Sequence, residues 1–218
     1  MNETNQIPLY WRIGAIVLVA VVVLGLLYFF ISSSNINESP TGITSGTPSG
    51  LGGSADDLFQ KGNIHFEAGE WQEAINAYEK AVEANPNYQE ALANLGASYY
   101  RAGQLKKASE TYQQAILLSP NDADVIYNLG AIYLQEALAD GTPDQEKLDQ
   151  AVKQINRAIE LNPNLAQPYY GRGMAYQFLG EIDKAIADFE KFIELDDETD
   201  RTATEQAQAM LQQLKFGK

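Results

Sequence analysis

Apolar and polar positions recur with helical spacing from Ala55 to about Lys215, and the pattern repeats about every 34 residues. Small residues mark each repeat, because a glycine is followed along the chain by an alanine. The glycines are Gly62, Gly96, Gly130 and Gly173, and the alanines are Ala74, Ala108, Ala151 and Ala185. Small residues at regular offsets let two helices cross closely, so each unit is predicted to be a pair of antiparallel helices.

Four such units are predicted, at residues 55–88, 89–122, 123–165 and 166–199. A single helix pair cannot bury its own apolar face, whereas stacked pairs share a continuous core with contacts between neighbours. Residues 200–218 then carry apolar side chains on one side of a further helix, with Gln and Glu on the other. These apolar residues are Ala203, Ala207, Met210, Leu211 and Leu214. This helix is predicted to cap the stack.

The units resemble the tetratricopeptide repeat family over almost the whole of this region. The second unit fits the family pattern best, at Leu92, Leu95, Gly96, Tyr99, Ala108, Tyr112, Ala115 and Pro120. Lys61 and His65 depart from the pattern in the first unit, and Phe192 replaces a small residue in the fourth. The resemblance implies an all-α fold, a right-handed superhelical solenoid of four helix pairs plus a C-terminal capping helix. It also implies a concave groove, lined by the first helix of every unit, that grips extended peptides or helices.

A different pattern precedes the repeats, because residues 13–31 contain no charged residue. At 1.5 Å per residue this run reaches about 28 Å, close to the roughly 30 Å of hydrocarbon in a bilayer. It is predicted to be one transmembrane helix, after a short tail at residues 1–12. A buried globular helix and a cleaved signal segment are the alternatives. Residues 32–54, rich in Ser, Gly, Thr, Asn and Pro, are predicted to be a disordered linker.

Basic residues around the apolar run predict its orientation. Arg12 precedes the run, and the next basic residue after it is Lys61. The positive-inside rule therefore predicts a cytoplasmic N-terminus. The repeats would then lie outside the cytoplasm, in a periplasm, a lumen or the cell exterior.

The third unit carries about nine additional residues, Ala139 to Lys147. Thr142, Pro143 and Gln145 form a helix-start pattern, with Thr as the cap and Pro at the first helical position. Both helices of this unit are therefore predicted to be longer than the others. The insertion is interpreted either as a second contact surface or as a tolerated surface change.

Composition restricts the chemistry that the chain can perform. There is no cysteine, so disulfides, thiol catalysis and thiolate metal sites are excluded. The single histidine, His65, is predicted to be a packed ring, since the family places an aromatic residue there. No nucleophile, base and carboxylate stand at an informative spacing, so no catalysis, cofactor, metal site or small-molecule substrate is predicted. A net charge of −14 with no basic face argues against nucleic acid as a partner.

The resemblance also implies which residues face the groove. They are Phe59, Asn63, Phe66, Asn94, Tyr100, Arg101, Tyr127, Asn128, Leu134, Tyr170, Met174 and Phe178. Asn94 and Asn128 share one repeat position, at which peptide-binding members of the family hold the main chain of the ligand. The alternative for the aromatic residues is packing against adjacent helices. Asp124 and Asn128 stand where chaperone-binding members carry basic residues, so an acidic chaperone tail is disfavoured as a ligand.

The sequence as a whole predicts a membrane-anchored scaffold without catalysis of its own. Its partner is predicted to be a protein or peptide, such as a subunit of a membrane complex that the scaffold helps to assemble or organise. The alternative is a stoichiometric structural or accessory subunit of a membrane-bound enzyme complex.

Overall fold

A computed structural model describes residues 53–196 and 201–216, and these form α-helices and turns without any strand. The helices are α1 (Ala55–Glu67), α2 (Trp71–Ala84), α3 (Gln89–Arg101), α4 (Leu105–Leu118), α5 (Ala123–Leu138), α6 (Gln145–Leu161), α7 (Ala166–Phe178), α8 (Ile182–Leu195) and α9 (Arg201–Phe216). None of the helices in the described ranges is long and apolar enough to cross a membrane. The predicted tail and transmembrane helix, and the predicted linker up to residue 52, lie outside the described residues.

Local contacts fix where the helices begin and how the chain turns between them. Ser54 Oγ accepts from the Asp57 N–H at 3.1 Å and the Asp57 carboxylate accepts from the Ser54 N–H at 3.0 Å. This capping box fixes the start of α1 at Ala55, with Ser54 as its cap. Gly69, Gly103 and Gly180 join the two helices of three units with φ of 75°, 74° and 73°, a conformation that glycine adopts without steric cost.

The insertion lengthens both helices of the third unit, as predicted. Helix α5 has 16 residues and α6 has 17, whereas the other first helices have 13 and the other second helices have 14. The predicted start of α6 is wrong, because the helix begins at Gln145 and its cap is Asp144 rather than Thr142. The Asp144 carboxylate accepts from the Lys147 N–H at 3.2 Å. A charged carboxylate caps a helix at least as well as a threonine and also favours its positive end.

Each first helix crosses its partner at the repeat glycine. In chain order the glycine and the side chain against it are Gly62 and Tyr78, Gly96 and Tyr112, Gly130 and Ile155, and Gly173 and Phe189. A Cβ atom on Gly62 would lie 2.4 Å from the nearest carbon of the Tyr78 ring, which is too close for any side chain. The repeat alanines of the second helices are fully buried at the same crossings. The close crossings predicted from small residues are therefore confirmed.

Gly62→Ala is expected to lower the free energy of unfolding by about 1–2 kcal/mol. Displacing the packed Tyr78 ring costs more than the roughly 1 kcal/mol that alanine gains over glycine within a helix. Urea unfolding of the full-length protein, followed by circular dichroism, measures the difference. Lys61→Ala, on the exposed side of the same helix, is the control and is expected to change stability by less than about 0.5 kcal/mol. Equal or greater stability for Gly62→Ala would contradict the prediction.

The stack curves toward its first helices. Each second helix packs against the first helix of the next unit, and successive first helices also contact one another. Among the described residues, successive second helices contact one another less than successive first helices do. The first helices α1, α3, α5 and α7 therefore line the concave side of the stack, the groove. Helix α9 packs on α8 at the C-terminal end and buries Ala203, Ala207 and Met210, on the side that the sequence pattern predicts.

The fourth unit contains a buried ion pair that joins its two helices. Arg172 donates from Nε and Nη2 to the Asp188 carboxylate at 2.8 and 2.7 Å, and from Nη1 to Asn156 Oδ1 at 2.6 Å. Asp188 is only 5% exposed. The Tyr169 and Tyr176 rings lie 5.5 and 5.9 Å from the guanidinium carbon. The pair thus has two charge-assisted hydrogen bonds in a fixed geometry, flanked by aromatic rings.

Candidate functional site

The residues predicted to face the groove divide into a buried set and a partly exposed set. The buried set consists of Tyr100, Tyr127, Leu134, Tyr170 and Met174. The partly exposed set consists of Phe59, Asn63, Phe66, Asn94, Arg101, Asn128 and Phe178. The buried side chains form the floor of the groove and offer a ligand little surface. The three buried tyrosine rings therefore pack against neighbouring helices, which was the alternative interpretation for the aromatic residues.

A hydrogen-bonded cluster lies between α1 and α3. The Tyr78 hydroxyl, which comes from α2 below, donates to Asn63 Oδ1 at 2.6 Å. Asn94 Nδ2 donates to the same oxygen at 3.1 Å and approaches the Tyr78 hydroxyl at 3.4 Å. The hydrogen bonds among these described residues use neither Asn63 Nδ2 nor Asn94 Oδ1. One amide donor group and one carbonyl acceptor are therefore held side by side at the groove, with capacity for a ligand.

The next boundary, between α3 and α5, repeats the tyrosine but not the whole cluster. Tyr112 occupies the position of Tyr78, and Asn128 occupies the position of Asn94, but Ala97 stands where the first unit has Asn63. Tyr112 is fully buried, and no described group forms a hydrogen bond of good geometry with its hydroxyl. Burial raises the pKa of this phenol well above its usual value. A neutral O–H donor is therefore placed close to the Asn128 amide without an intramolecular partner of good geometry.

Two glutamines add buried acceptors near the C-terminal ends of the first helices. Gln135 Oε1 on α5 and Gln177 Oε1 on α7 are both buried, and no described group donates to either of them. An unsatisfied buried acceptor costs about 1–3 kcal/mol, and a donor from a ligand would remove that cost. The sequence interpretation missed both glutamines, and Tyr78 and Tyr112 as well. A comparison of equivalent positions could have revealed the second boundary. The tyrosine is repeated as Tyr112, but Ala97 replaces the asparagine of the first unit, Asn63.

Aromatic contacts fix the first end of the groove. The Phe59 ring lies 5.8 Å from the Tyr78 ring and 5.0 Å from the Tyr88 ring. The Phe66 ring meets the Trp71 ring edge to face at 5.2 Å. Arg101 lies over the same Trp71 ring, 5.5 Å from its centre. Burial lowers the pKa of the Arg101 guanidinium, although it remains a cation at neutral pH.

The remaining end of the groove is apolar and is joined to the capping helix. The Tyr170 ring packs edge to face on Phe189 and Phe192 at 5.7 and 5.2 Å. Its hydroxyl donates to Gln206 Oε1 on α9 at 3.4 Å, so the cap also supports the groove floor. Phe178, at the end of α7, keeps part of its ring exposed. This end therefore offers apolar surface beside the buried acceptor of Gln177.

Other places in the described residues lack the features of a chemical site. An open depression of about 610 Å³ lies on the outer face of α6 and is lined by residues of both charges, including Lys153, Arg157 and Glu160. Small-molecule sites are usually enclosed and mostly apolar, which this depression is not. Within the described ranges, no three side chains from His, Asp and Glu are grouped as metal ligands would be. His65 is half-buried, and its Nδ1 lies 2.6 Å from Glu70 Oε2, so the predicted packed ring is what the structure contains.

The fold and groove define a helical-repeat protein of the kind that binds other proteins. Family models described as TPR repeat match residues 62–103 and 98–136, and a model described as tetratricopeptide repeat matches residues 144–212. Together these matches cover more than half of the chain. The protein belongs to the tetratricopeptide repeat family, whose fold typically serves as a non-enzymatic scaffold for protein interactions.

Solved structures share the fold over most of their length. A crystal structure of MamA protein is 28% identical with a TM-score of 0.60, covering 74% of this chain and 82% of its own. A thermophilic TPR protein of Thermus thermophilus is 24% identical with a TM-score of 0.61, covering 72% and 83%. MamA from Desulfovibrio magneticus, from residue 41 to its end, is 18% identical with a TM-score of 0.59, covering 78% and 99%. The last two are similar in fold alone.

A curated human relative matches only a small part of the chain. Tetratricopeptide repeat protein 16 of Homo sapiens is 40% identical over 67 residues, which is 31% of this chain. The matched region spans 8% of the length of that relative. The similarity therefore concerns the repeats themselves.

Proposed function

We propose that this protein is a membrane-anchored scaffold that holds a partner protein by an extended segment lying in the groove. The observation that carries the proposal is the set of buried polar groups on the groove side that form no hydrogen bond of good geometry with any described residue. They are the Tyr112 hydroxyl, Gln135 Oε1 and Gln177 Oε1. A peptide main chain presents alternating N–H donors and C=O acceptors, which match groups of both kinds.

The asparagines give the groove a second way of holding a main chain. Asn63 and Asn94 are fixed by the Tyr78 hydroxyl in the absence of a ligand. Groups that are already positioned lose little side-chain freedom when a ligand binds, which increases affinity for a given set of contacts. Asn128 lies in the equivalent place one unit further and extends the same row of amides along the groove.

The membrane part of the proposal rests on the sequence. The uncharged run at residues 13–31 is long enough to span a bilayer, and Arg12 favours a cytoplasmic N-terminus. The 23 residues of the linker predicted at residues 32–54 would span roughly 25 Å if flexible, so the repeats would stay close to the membrane. The partner is therefore proposed to be a subunit of a membrane complex, reached from the extracytoplasmic side.

A second candidate function is a stoichiometric subunit of a membrane-bound enzyme complex. The insertion of the third unit favours it, since the lengthened α5 and α6 provide a surface outside the groove. In that case the partner would contact the insertion, and the groove side chains would not affect assembly.

Site-specific cross-linking distinguishes the two candidates. A photoreactive amino acid replaces Ala93 or Ala97 on the groove side of α3, or Asp140 in the insertion, in the full-length protein within its native membranes. Lys153 on α6 is the control position, from which neither candidate requires a cross-link. The groove proposal requires one protein to be cross-linked from α3, with the attached segment mapped by mass spectrometry. A cross-link from a photoreactive residue at Asp140 in the insertion, with none from α3, would support the subunit instead.

The membrane anchor is tested separately from the groove. We expect the full-length protein to stay with membranes after alkaline carbonate extraction, and a variant lacking residues 13–31 to be released. Protease added to sealed cells or vesicles should remove a C-terminal tag from the extracytoplasmic side. Release of the full-length protein by carbonate would refute the anchor and leave the groove proposal to the cross-linking result.

A further inference from the structure

The first boundary, between α1 and α3, and the second, between α3 and α5, are built from residues in the same register. The first boundary uses Gly62, Asn63, Tyr78 and Asn94. The residues 34 positions later are Gly96, Ala97, Tyr112 and Asn128. A Cβ atom on the glycine would lie 2.4 Å from the Tyr78 ring at the first boundary and 2.8 Å from the Tyr112 ring at the second. Both tyrosine rings are therefore held by the same close crossing, and the two boundaries differ in having Asn63 or Ala97.

Asn63 shows which chemical group this position can hold. Its Oδ1 accepts a hydrogen bond from the Tyr78 hydroxyl at 2.6 Å and another from Asn94 Nδ2 at 3.1 Å. One amide carbonyl oxygen thus satisfies a phenol and an amide donor at the same time. The first boundary therefore contains an amide carbonyl that the protein itself supplies.

The second boundary keeps both donors and lacks the carbonyl, because Ala97 has no carboxamide. The Tyr112 hydroxyl is buried, lies beside Asn128 and forms no hydrogen bond of good geometry with any described group. Burial raises the pKa of Tyr112, and the Asn128 amide acts in the opposite direction, as a hydrogen-bond donor does. The Tyr112 hydroxyl and Asn128 Nδ2 are therefore two donors that converge without an acceptor, and an unsatisfied buried donor is costly.

The position of the missing carboxamide opens on the groove. Ala97 and Asn128 are both partly exposed, as Asn63 is at the first boundary. Asn63 reaches from this surface down to a tyrosine hydroxyl, so a ligand group that enters from the groove can follow the same course. Because the Tyr112 hydroxyl is buried, a neighbouring side chain must rotate to uncover it. Asn128 can rotate, since Ala97 provides no counterpart of the hydrogen bond that fixes Asn94 to Asn63.

This arrangement occurs at one boundary among the described first helices. At the third boundary, between α5 and α7, the equivalent residues are all apolar or glycine, namely Gly130, Ala131, Ile155 and Gly171. The first boundary is satisfied internally, and the third has no donor of this kind. A ligand carbonyl that binds at the second boundary would therefore set the register of the whole segment in the groove.

We infer that the Tyr112 hydroxyl and Asn128 Nδ2 form a subsite for one amide carbonyl oxygen of the ligand, which takes the place that the Asn63 carbonyl has at the first boundary. The inference rests on the proposed function and specifies where the ligand is anchored. A peptide group contains the same oxygen, carbon and nitrogen atoms as the missing carboxamide, so its size matches as well as its acceptor. An asparagine or glutamine side chain is the other source of such a carbonyl. A carboxylate is the competing group, because the charge of Arg101 also acts on Tyr112.

Substitutions in the ligand-free, full-length protein test whether this position accepts a carbonyl. Ala97→Asn supplies the carbonyl from α3 itself and is expected to give a higher urea midpoint than Ala93→Asn. The control introduces the same residue on the same helix and measures the cost of asparagine there. The difference should disappear when Tyr112→Phe is added to both variants, because the donor is then absent. A midpoint for Ala97→Asn no higher than that of Ala93→Asn would overturn the inference.

The matched tyrosine variants give a second measurement on the free protein. Tyr112→Phe removes a hydroxyl that has no hydrogen bond of good geometry, so the urea midpoint is expected to stay the same or rise. Tyr78→Phe removes the donor that binds Asn63, so the midpoint is expected to fall. Equal losses in the two variants would contradict an unsatisfied hydroxyl at the second boundary.

Small probes measure binding at the subsite directly. N-methylacetamide, acetamide and acetate are titrated separately into the ¹⁵N-labelled full-length protein in mild detergent. NMR follows the side-chain amide signals of Asn128, which are assigned by their loss in Asn128→Ala. We expect N-methylacetamide to shift these signals to saturation, Tyr112→Phe to weaken its binding about tenfold, and Ala97→Asn to abolish it. The side-chain signals of Asn76, on the outer face, are the control and should not saturate.

The three probes identify the source of the carbonyl. Tighter binding of N-methylacetamide than of acetamide would support a main-chain group, and the reverse order would support an asparagine or glutamine side chain. Tighter binding of acetate than of either amide would overturn the neutral carbonyl. Absence of a saturable shift at Asn128 with both amides, or an equal shift in Ala97→Asn, would overturn the subsite.

Cross-linking separates the subsite from the function on which it rests. If a photoreactive residue at Ala93 still captures the same protein with equal yield in Ala97→Asn and in Tyr112→Phe, the subsite is refuted and the groove is retained. Amide binding that is sensitive to both substitutions, with no protein cross-linked from α3, would support the subsite and refute the proposed scaffold function.

Discussion

Asp188→Ala is expected to lower the free energy of unfolding by about 3 kcal/mol, the largest stability effect that we predict for a single substitution. The substitution leaves the Arg172 guanidinium half-buried without its counter-ion, with a hydrogen bond to the Asn156 oxygen and the Tyr169 and Tyr176 rings beside it. A buried charge without its counter-ion is strongly destabilising, whereas the intact pair contributes little beyond the cost of its own desolvation. Urea unfolding of the full-length protein, followed by circular dichroism, measures the change.

The second unit supplies the control for this prediction. Its residues at the positions of Arg172 and Asp188 are Leu95 and Thr111, both buried. The double variant Arg172→Leu, Asp188→Thr removes both charges, so it should recover most of the stability lost in Asp188→Ala. Asp183→Ala, exposed on the same helix, should cost no more than about 1 kcal/mol. A double variant as unstable as Asp188→Ala would show that the loss comes from packing rather than from an unpaired charge.

The combined substitution Asn94→Ala, Asn128→Ala is expected to weaken binding of the partner segment about a hundredfold. Loss of a hydrogen bond to the ligand main chain leaves a ligand group without its partner and weakens binding by about 1–3 kcal/mol. Each 1.4 kcal/mol corresponds to a tenfold change in Kd. Each asparagine should therefore contribute about tenfold. Isothermal titration of the segment mapped by cross-linking, with the full-length protein, measures both single variants and the pair.

Asparagine on the outer face provides the matched control. Asn76 is exposed on α2, where it accepts from Gln72 Nε2 at 3.3 Å, and Asn76→Ala should leave the affinity unchanged. Asn94→Ala should leave the fold intact, because the Tyr78 hydroxyl still donates to Asn63. Affinity within about threefold of the original in the double variant, with circular dichroism unchanged, would refute main-chain recognition by these amides.

The fold could be predicted from sequence because its determinants are local and repeated. Gly62 and Tyr78, and their equivalents in later units, lie close enough along the chain for a fixed offset to identify the crossing. The insertion was recognised for the same reason, although its second helix begins at Gln145 because Asp144, the stronger cap, prevails over Thr142. The ion pair of Arg172 and Asp188 was missed, since each is an ordinary polar residue until the two helices bring them together.

The site could be predicted in outline but not in its chemistry. The positions of Asn94 and Asn128 follow from the repeat, and both are partly exposed on first helices of their units. The hydrogen bonds around these asparagines do not follow from the repeat, because they depend on contacts between helices of different units. The Tyr78 hydroxyl bonds to Asn63 and lies near Asn94, whereas the Tyr112 hydroxyl lies beside Asn128 without a hydrogen bond of good geometry to any described group. Burial of the Gln135 and Gln177 oxygens likewise arises only in the assembled stack.

The tyrosines that fill the first two helix crossings also reach the groove, and this has an evolutionary consequence. Tyr78 packs on Gly62 with its ring and holds Asn63 with its hydroxyl, so a substitution there changes stability and recognition at once. Ile155 and Phe189 fill the corresponding crossings of the last two units without any hydroxyl. Selection on the ligand therefore acts directly on the helix crossings of the N-terminal half of the chain, whereas the residues that fill the last two crossings offer a ligand no hydroxyl.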